Sequence, residues 1–194
     1  MSTLIHSLQD LKHTGCLLCA YEKHQAKRFL QGIANDGVND PPLRIRLKNK
    51  GGFCAQHLQV FVTEARVLSS AILLEDMLSH RLERARLGKS PTMTICEACE
   101  VETKTRDNLA KNIRRSRDDA TLIPFLLKHE LCVSHIEIIC HQLPERQRYP
   151  FFEKHQTLLS NLSEVIRKHD YRFVAEGINQ EETQSIQATL SILS

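Results

Sequence analysis

Cys16-Leu17-Leu18-Cys19 and Cys54-Ala55-Gln56-His57, followed by Cys96-Glu97-Ala98-Cys99 and Cys132-Val133-Ser134-His135, decide how this chain is built. The second pair of motifs repeats the first at offsets of 80, 80, 78 and 78 residues. Eight cysteine and histidine donors laid out twice in one order point to duplication of a metal-binding unit. Each Cys-x-x-Cys taken with the Cys-x-x-His that follows it supplies three thiolates and one imidazole, the complement of a closed tetrahedral zinc site. On this reading Cys16, Cys19, Cys54 and His57 form one site, and Cys96, Cys99, Cys132 and His135 the other. Each ion would staple the starts of two helices across about 35 intervening residues, by the motif spacing. Donors three residues apart on a first helical turn share a face, and the positive end of the helix favours thiolate.

Working outward, the rest of the sequence reads as helical. Apolar residues recur at a 3.6-residue period, and alternating β-branched runs are few. Helices are expected over 3–12 and 20–34, the second ended by Asn35-Asp36-Gly37, and over 40–47 behind Asp40-Pro41-Pro42. A single long helix is expected from Cys54 to about Leu87, with Leu58, Phe61, Ala65, Leu68 and Ile72 along one stripe and Met77 or Leu78, Leu82 and Ala85 continuing it. It should stop at Gly88, Ser90 and Pro91. The second half repeats the order: a helix from Cys96 to about Arg117, a shorter one over 118–128 and another over 132–143. Pro144 and Pro150 should bracket a turn. A further long helix would carry Phe152, His155, Leu159, Leu162, Ile166, His169 and Phe173 as its stripe, and a last helix would cover 181–193. The expected fold is an all-α helical bundle. It comprises two tandem metal-stapled repeats with pseudo-twofold symmetry, at about 14–90 and 94–144, and a C-terminal helical pair at about 150–194, in one domain over 1–194.

Composition sets outer bounds. Hydrophobic residues make up 41% and charged residues 25%, an ordinary globular balance. No apolar run reaches the roughly 18 residues needed to cross a bilayer. The first ten residues lack the basic-then-apolar pattern of a secretory signal. Seven cysteines in such a chain are expected in a reducing cytoplasm, where paired cysteines bind metal or do redox chemistry. The net charge of +3 gives little reason to expect nucleic acid as a partner. Basic residues do cluster at Arg44, Arg46, Lys48 and Lys50, at Arg81, Arg84 and Arg86, and at Arg114, Arg115 and Arg117. Acidic neighbours make these read as solvated helix faces.

Two Zn2+ ions are the expected cofactors, with iron–sulfur clusters on the same ligands as the alternative. A redox-active dithiol would call for a βαβ pattern, which is missing, and Ala20 and Glu100 after the Cys-x-x-Cys pairs rule out covalent haem. There is no phosphate-binding glycine loop, nucleophile elbow or His-Glu-x-x-His helix. Four ligands per site leave no open position for catalysis. The expected role is therefore binding, of a protein partner first, with redox sensing or zinc-dependent nucleic-acid binding as alternatives. Cys140 has Val62 at its counterpart and reads as a buried apolar residue, and His141 as a surface or capping histidine.

Four segments carry a family resemblance: Cys16-Leu-Leu-Cys19, Val38-Asn39-Asp40-Pro41, Gly52-Phe53-Cys54-Ala55-Gln56-His57 and Lys168-His169-Asp170-Tyr171-Arg172-Phe173. Together they resemble an uncharacterised prokaryotic family known by a domain-of-unknown-function label, over nearly the whole chain. The resemblance implies that both ligand sets and the His-Asp-Tyr-Arg-Phe run form one unit, and implies no activity. Relatives often carry proline after the first cysteine of each Cys-x-x-Cys; Leu17 and Glu97 stand there, which changes turn rigidity and leaves ligation intact. His169, Asp170, Tyr171 and Arg172 are candidates for a pocket or partner surface at the junction between the repeats, because polar chemistry is dense where a bundle helix should be packing.

Overall fold

The computed structural model describes residues 3–90 and 96–193. Ten α-helices and two short 3-10 turns make up its regular structure, and no strand occurs among the described residues. Pro91, expected to end a helix, lies outside them. No helix of the described residues is long and apolar enough to cross a membrane.

The chain divides into two compact units. One, the terminal unit, joins Met1–Tyr21 to Asn108–Ser194; the other, the central unit, is Glu22–Asp107. Neither follows the expected repeat boundaries. Helices α2 (Leu17–Asn35) and α6 (Glu97–Arg115) each contribute to both, since the division falls inside them.

The central unit holds most of α2, then α3 (Pro41–Asn49), α4 (Ala55–Glu64), α5 (Val67–Arg86) and the start of α6. Pro41 and Pro42 suit the first turn of α3, where no intrahelical N–H is needed. Its core gathers Leu30, Ile33, Val38, Leu47, Phe53, Phe61, Leu73, Met77 and Ala98. Phe61 is fully buried, and its ring lies 5.9 Å from that of Phe53. Gly51 and Gly52 take φ of +81° and +82°, the left-handed turn that feeds the chain into Cys54. A Cβ on Gly52 would also run into the Met77 side chain.

The single helix expected from 54 to 87 is two helices. Ala65 (ψ 151°) and Arg66 (ψ 156°) are extended and separate α4 from α5. Nothing in Glu64-Ala65-Arg66-Val67 breaks a helix locally. The break turns α5 so that Leu73 and Met77 join the same core as Phe61. Packing therefore overrides propensity here. The exposed side of α5 carries Leu68, Leu78 and Leu82 of the stripe expected to be inside, together with Val67, whereas Met77, the alternative to Leu78 on that stripe, is buried.

The terminal unit holds α1 (Thr3–Gln9), the first residues of α2, the end of α6, α7 (Leu122–Leu127), α8 (Val133–Gln142), α9 (Glu145–Lys168) and α10 (Gln180–Leu193). Ile5, Leu8, Leu17, Leu18, Leu109, Ile113, Leu122, Ile139 and Phe151 build its core. Leu143 and Pro144 are extended between α8 and α9, as Ala65 and Arg66 are between α4 and α5. Pro150 does not bound a turn but lies inside α9, where it leaves the Arg146 carbonyl without its usual i+4 donor. Burial of the neighbouring Phe151 holds this stretch helical.

The stripe expected along α9 is displaced. Phe152, Leu159 and Ile166 are 58%, 58% and 75% exposed. Helix α10 covers the face next to it, where Asn161 donates to Ser185 Oγ (2.8 Å) and Lys168 pairs with Glu182 (2.7 Å). Asn179 and Glu182 close a reciprocal cap on α10. Glu182 N–H donates to Asn179 Oδ1 at 2.8 Å, and Asn179 N–H donates to Glu182 Oε2 at 3.0 Å.

Two candidate metal centres

The eight predicted donors come together in two clusters, but not in the predicted combinations. Cys16 and Cys19 meet Cys132 and His135 in the terminal unit. Cys54 and His57 meet Cys96 and Cys99 in the central unit. Each Cys-x-x-Cys is thus completed by the Cys-x-x-His of the other half, and the expected pairing within each half is corrected. Helix α2 gives the physical reason. Its 19 residues carry the chain about 28 Å along the axis, away from Cys16 and Cys19, before Cys54 is reached. The Cys-x-x-Cys that opens α6 is the one that lies beside Cys54.

In the terminal cluster His135 Nδ1 lies 3.4 Å from Cys16 Sγ, 3.3 Å from Cys19 Sγ and 3.1 Å from Cys132 Sγ. Cys19 and Cys132 are 3.6 Å apart. The Cys16–Cys19 turn is anchored by Leu17 N–H, which donates to the Glu130 carbonyl at 3.0 Å, and by Leu17 and Leu18, both fully buried. Cys132 is the residue just before α8, in extended conformation, and His135 sits on that helix's first turn.

The central cluster repeats this geometry. His57 Nδ1 lies 3.3 Å from Cys54 Sγ, 3.4 Å from Cys96 Sγ and 3.3 Å from Cys99 Sγ, and Cys54 and Cys99 are 3.8 Å apart. The Cys96–Cys99 turn is held by charge instead of by leucine. Glu97 is buried and accepts from Arg46 Nε (2.8 Å) and Arg46 Nη2 (3.2 Å), with Lys50 Nζ at 3.2 Å. Burial pushes the Glu97 carboxyl up, but Arg46 and Lys50 outweigh it and hold it below the usual carboxylate range.

Zinc–sulfur bonds of about 2.3 Å and zinc–nitrogen bonds of about 2.0 Å at tetrahedral angles set donor atoms roughly 3.5–3.8 Å apart. The separations above match that size, contracted slightly, and in each cluster all four donor atoms lie within 4.8 Å of one another. Both donor sets therefore fit one tetrahedral ion each. The thiols titrate unequally, as crowded thiolates must. Burial raises Cys16, but His135 and nearby backbone N–H groups bring it down to about 6. Burial and then the charge of Cys16 push Cys19 far above the ordinary thiol range. Cys54 falls to about 7, since the backbone and ring of His57 outweigh burial, whereas burial and the neighbouring Cys96 and Cys54 push Cys99 up to about 12. A dication at the centre would remove the repulsion that keeps the remaining thiols protonated.

A family model described as a family of unknown function, DUF6062, matches residues 9–122, more than half of the chain. The chain belongs to the DUF6062 family. Comparison with curated proteins and with solved structures finds no match. The DUF6062 match takes in the whole central cluster and the Cys16–Cys19 turn. Cys132, His135 and the run from Lys168 to Phe173 lie beyond it.

After Lys168, the last residue of α9, that run forms a turn in which His169, Tyr171 and Arg172 are exposed. Arg172 pairs with Asp170 at 2.7 Å, Arg167 stacks on the Phe173 ring at 4.7 Å, and Tyr171 is 86% exposed. His169 is the C-terminal cap residue, with Nδ1 at 2.9 Å from the Val165 carbonyl. Asp170 and Arg172 thus satisfy each other at the surface. Cys140 is buried in the core of the terminal unit, where burial raises its thiol. Burial pushes the imidazole of His155, on the expected α9 stripe, below its ordinary range.

One residue of the central site escaped the sequence reading. Glu102 Oε1 lies 3.3 Å from His57 Nε2, the ring nitrogen that faces away from the sulfurs. A carboxylate there fixes the imidazole tautomer that presents Nδ1 to a metal. Its signal was available, since Glu102 stands one helical turn after Cys99. Glu102→Gln should lower metal affinity of the central site about 10–100-fold and leave the terminal site unchanged. Competition with a chromophoric chelator checks this, and equal weakening of both sites would contradict it.

Proposed function

We propose that this protein is a zinc-stabilised helical adaptor: one Zn2+ in each Cys3His cluster closes one unit, and the exposed helix faces bind a protein partner. The observation that carries the reading is the pair of complete four-donor sets at single-ion spacing. Four protein donors fill a tetrahedral zinc and leave no position for substrate, which favours a structural role. An iron–sulfur cluster distributes its ligands over several irons and suits a wider set of donors, so spacing within 4.8 Å favours a single ion. The parallel motif order supports duplication of an ancestral unit, with the crossed pairing as its outcome.

Exposed apolar residues on α5 (Val67, Leu68, Leu78, Leu82) and α9 (Phe152, Leu159, Ile166) favour a protein as partner. Three of the basic residues that would speak for nucleic acid are engaged within the central unit: Arg44 with Asp76, Arg46 with Glu97, and Lys50 with Glu97 and Glu100. Elemental mass spectrometry with a visible spectrum, on protein purified without air or chelator, tests the metal. Two zinc per chain and no colour are expected. Iron with acid-labile sulfide would replace the adaptor reading with a redox one.

A further inference from the structure

The two clusters share a donor set but differ in how they are shielded. In the terminal unit Cys132 and His135 are buried and Cys16 and Cys19 half-buried, and the turn between those two is seated on Leu17 and Leu18, both inaccessible. In the central unit Cys96 and His57 are likewise buried and Cys54 half-buried, but Cys99 is exposed, and the turn between Cys96 and Cys99 is anchored by Glu97 ion pairs. Exposure of a metal-bound thiolate decides how readily an oxidant reaches it. Cys54 Sγ, 3.8 Å from Cys99 Sγ, is in place to resolve whatever forms there. Cys96, the third thiol of the cluster, is buried and offers less.

We infer that the central site is an oxidant-responsive metal site, with Cys99 as the reacting thiolate and Cys54 as the resolving one, while the terminal site retains its ion. The inference rests on the metal reading above. The co-reactant is a peroxide. The Cys99 thiolate attacks one peroxide oxygen, the O–O bond breaks, and Cys99 becomes a sulfenic acid as hydroxide leaves. The Cys54 thiolate then attacks the Cys99 sulfur, the S–O bond breaks, and a second hydroxide leaves as the disulfide forms. Both hydroxides take up protons to become water. Two thiolates have been oxidised by two electrons and one peroxide reduced. With two of its four donors gone, the ion is released. Thiol reductant and added zinc restore the site.

The test uses the full-length protein loaded with two metals per chain and treated with hydrogen peroxide. A chromophoric chelator reads released metal, and peptide mass spectrometry after alkylation maps the disulfide. The expected result is release of one equivalent well before the second, with a Cys54–Cys99 disulfide and unmodified Cys16, Cys19 and Cys132. Release of both ions at one rate, first release from the terminal site, or a disulfide joining other cysteines would overturn the inference and leave the metal reading standing. Fewer than two metals per chain before any oxidant would overturn the metal reading, and this inference with it.

Discussion

Replacing Cys16 and Cys132 together by serine will cost the protein one metal ion, whereas replacing Cys16 and Cys54 together will cost it two. The clusters are crossed, so the first pair of changes falls on the terminal site and the second on one donor of each site. Pairing within each half of the chain gives the opposite count, which makes metal stoichiometry of the two double variants a decisive measurement. The effect on folding will be large. Structural zinc sites contribute on the order of 10–16 kcal/mol in small peptides at neutral pH, comparable with the whole stability of a domain, about 5–15 kcal/mol. The Cys16→Ser, Cys132→Ser variant should lose hydrogen-exchange protection throughout Met1–Tyr21 and Asn108–Ser194. Protection of the core of Glu22–Asp107 should survive in it. Two ions retained in that variant would refute the terminal cluster.

Phe61→Ala is the second large effect expected, a loss of about 3–5 kcal/mol from the cavity it opens. Phe61 is fully buried against Phe53, in a core that also takes in Leu73 and Met77. It stands four residues after His57, on the same face of α4, so the change should also speed metal loss from the central site. Leu78→Ala on the exposed side of α5 is the control and should move stability by no more than about 0.5 kcal/mol. Chemical denaturation of both variants, with metal retention followed in parallel, checks the pair. Equal effects would mean that α5 packs by its other face.

The eight donors, the helical class and most helix positions were legible because each has a local signature. Cys-x-x-Cys and Cys-x-x-His are fixed by three-residue spacing, and prolines and glycines mark most ends. The combination of motifs was not legible, because spacing along the chain says nothing about which donors meet after a 19-residue helix has intervened. The Ala65–Arg66 break was hidden for a related reason, since only tertiary packing requires it. Its counterpart Leu143–Pro144 does carry a proline, so reading the two halves against each other would have exposed it. Along α9 a 3.6-residue period was present, but two neighbouring faces were apolar, and α10 rather than the sequence decided which one to cover. The cap formed by Asn179 and Glu182 was readable as Asn-x-x-Glu.

The crossed donor sets also bear on how the chain is made. Synthesis delivers Cys16, Cys19, Cys54 and His57 first, which together form a complete Cys3His set of the wrong combination. The partners of Cys54 and His57 arrive with Cys99, and those of Cys16 and Cys19 only with His135. At about 5–20 residues per second, those last 36 residues take roughly 2–7 s to emerge. The central site can close while the first cysteines of the chain still wait for theirs. Before that, every nascent copy passes a stage at which its misplaced donor set is complete and neither native one is.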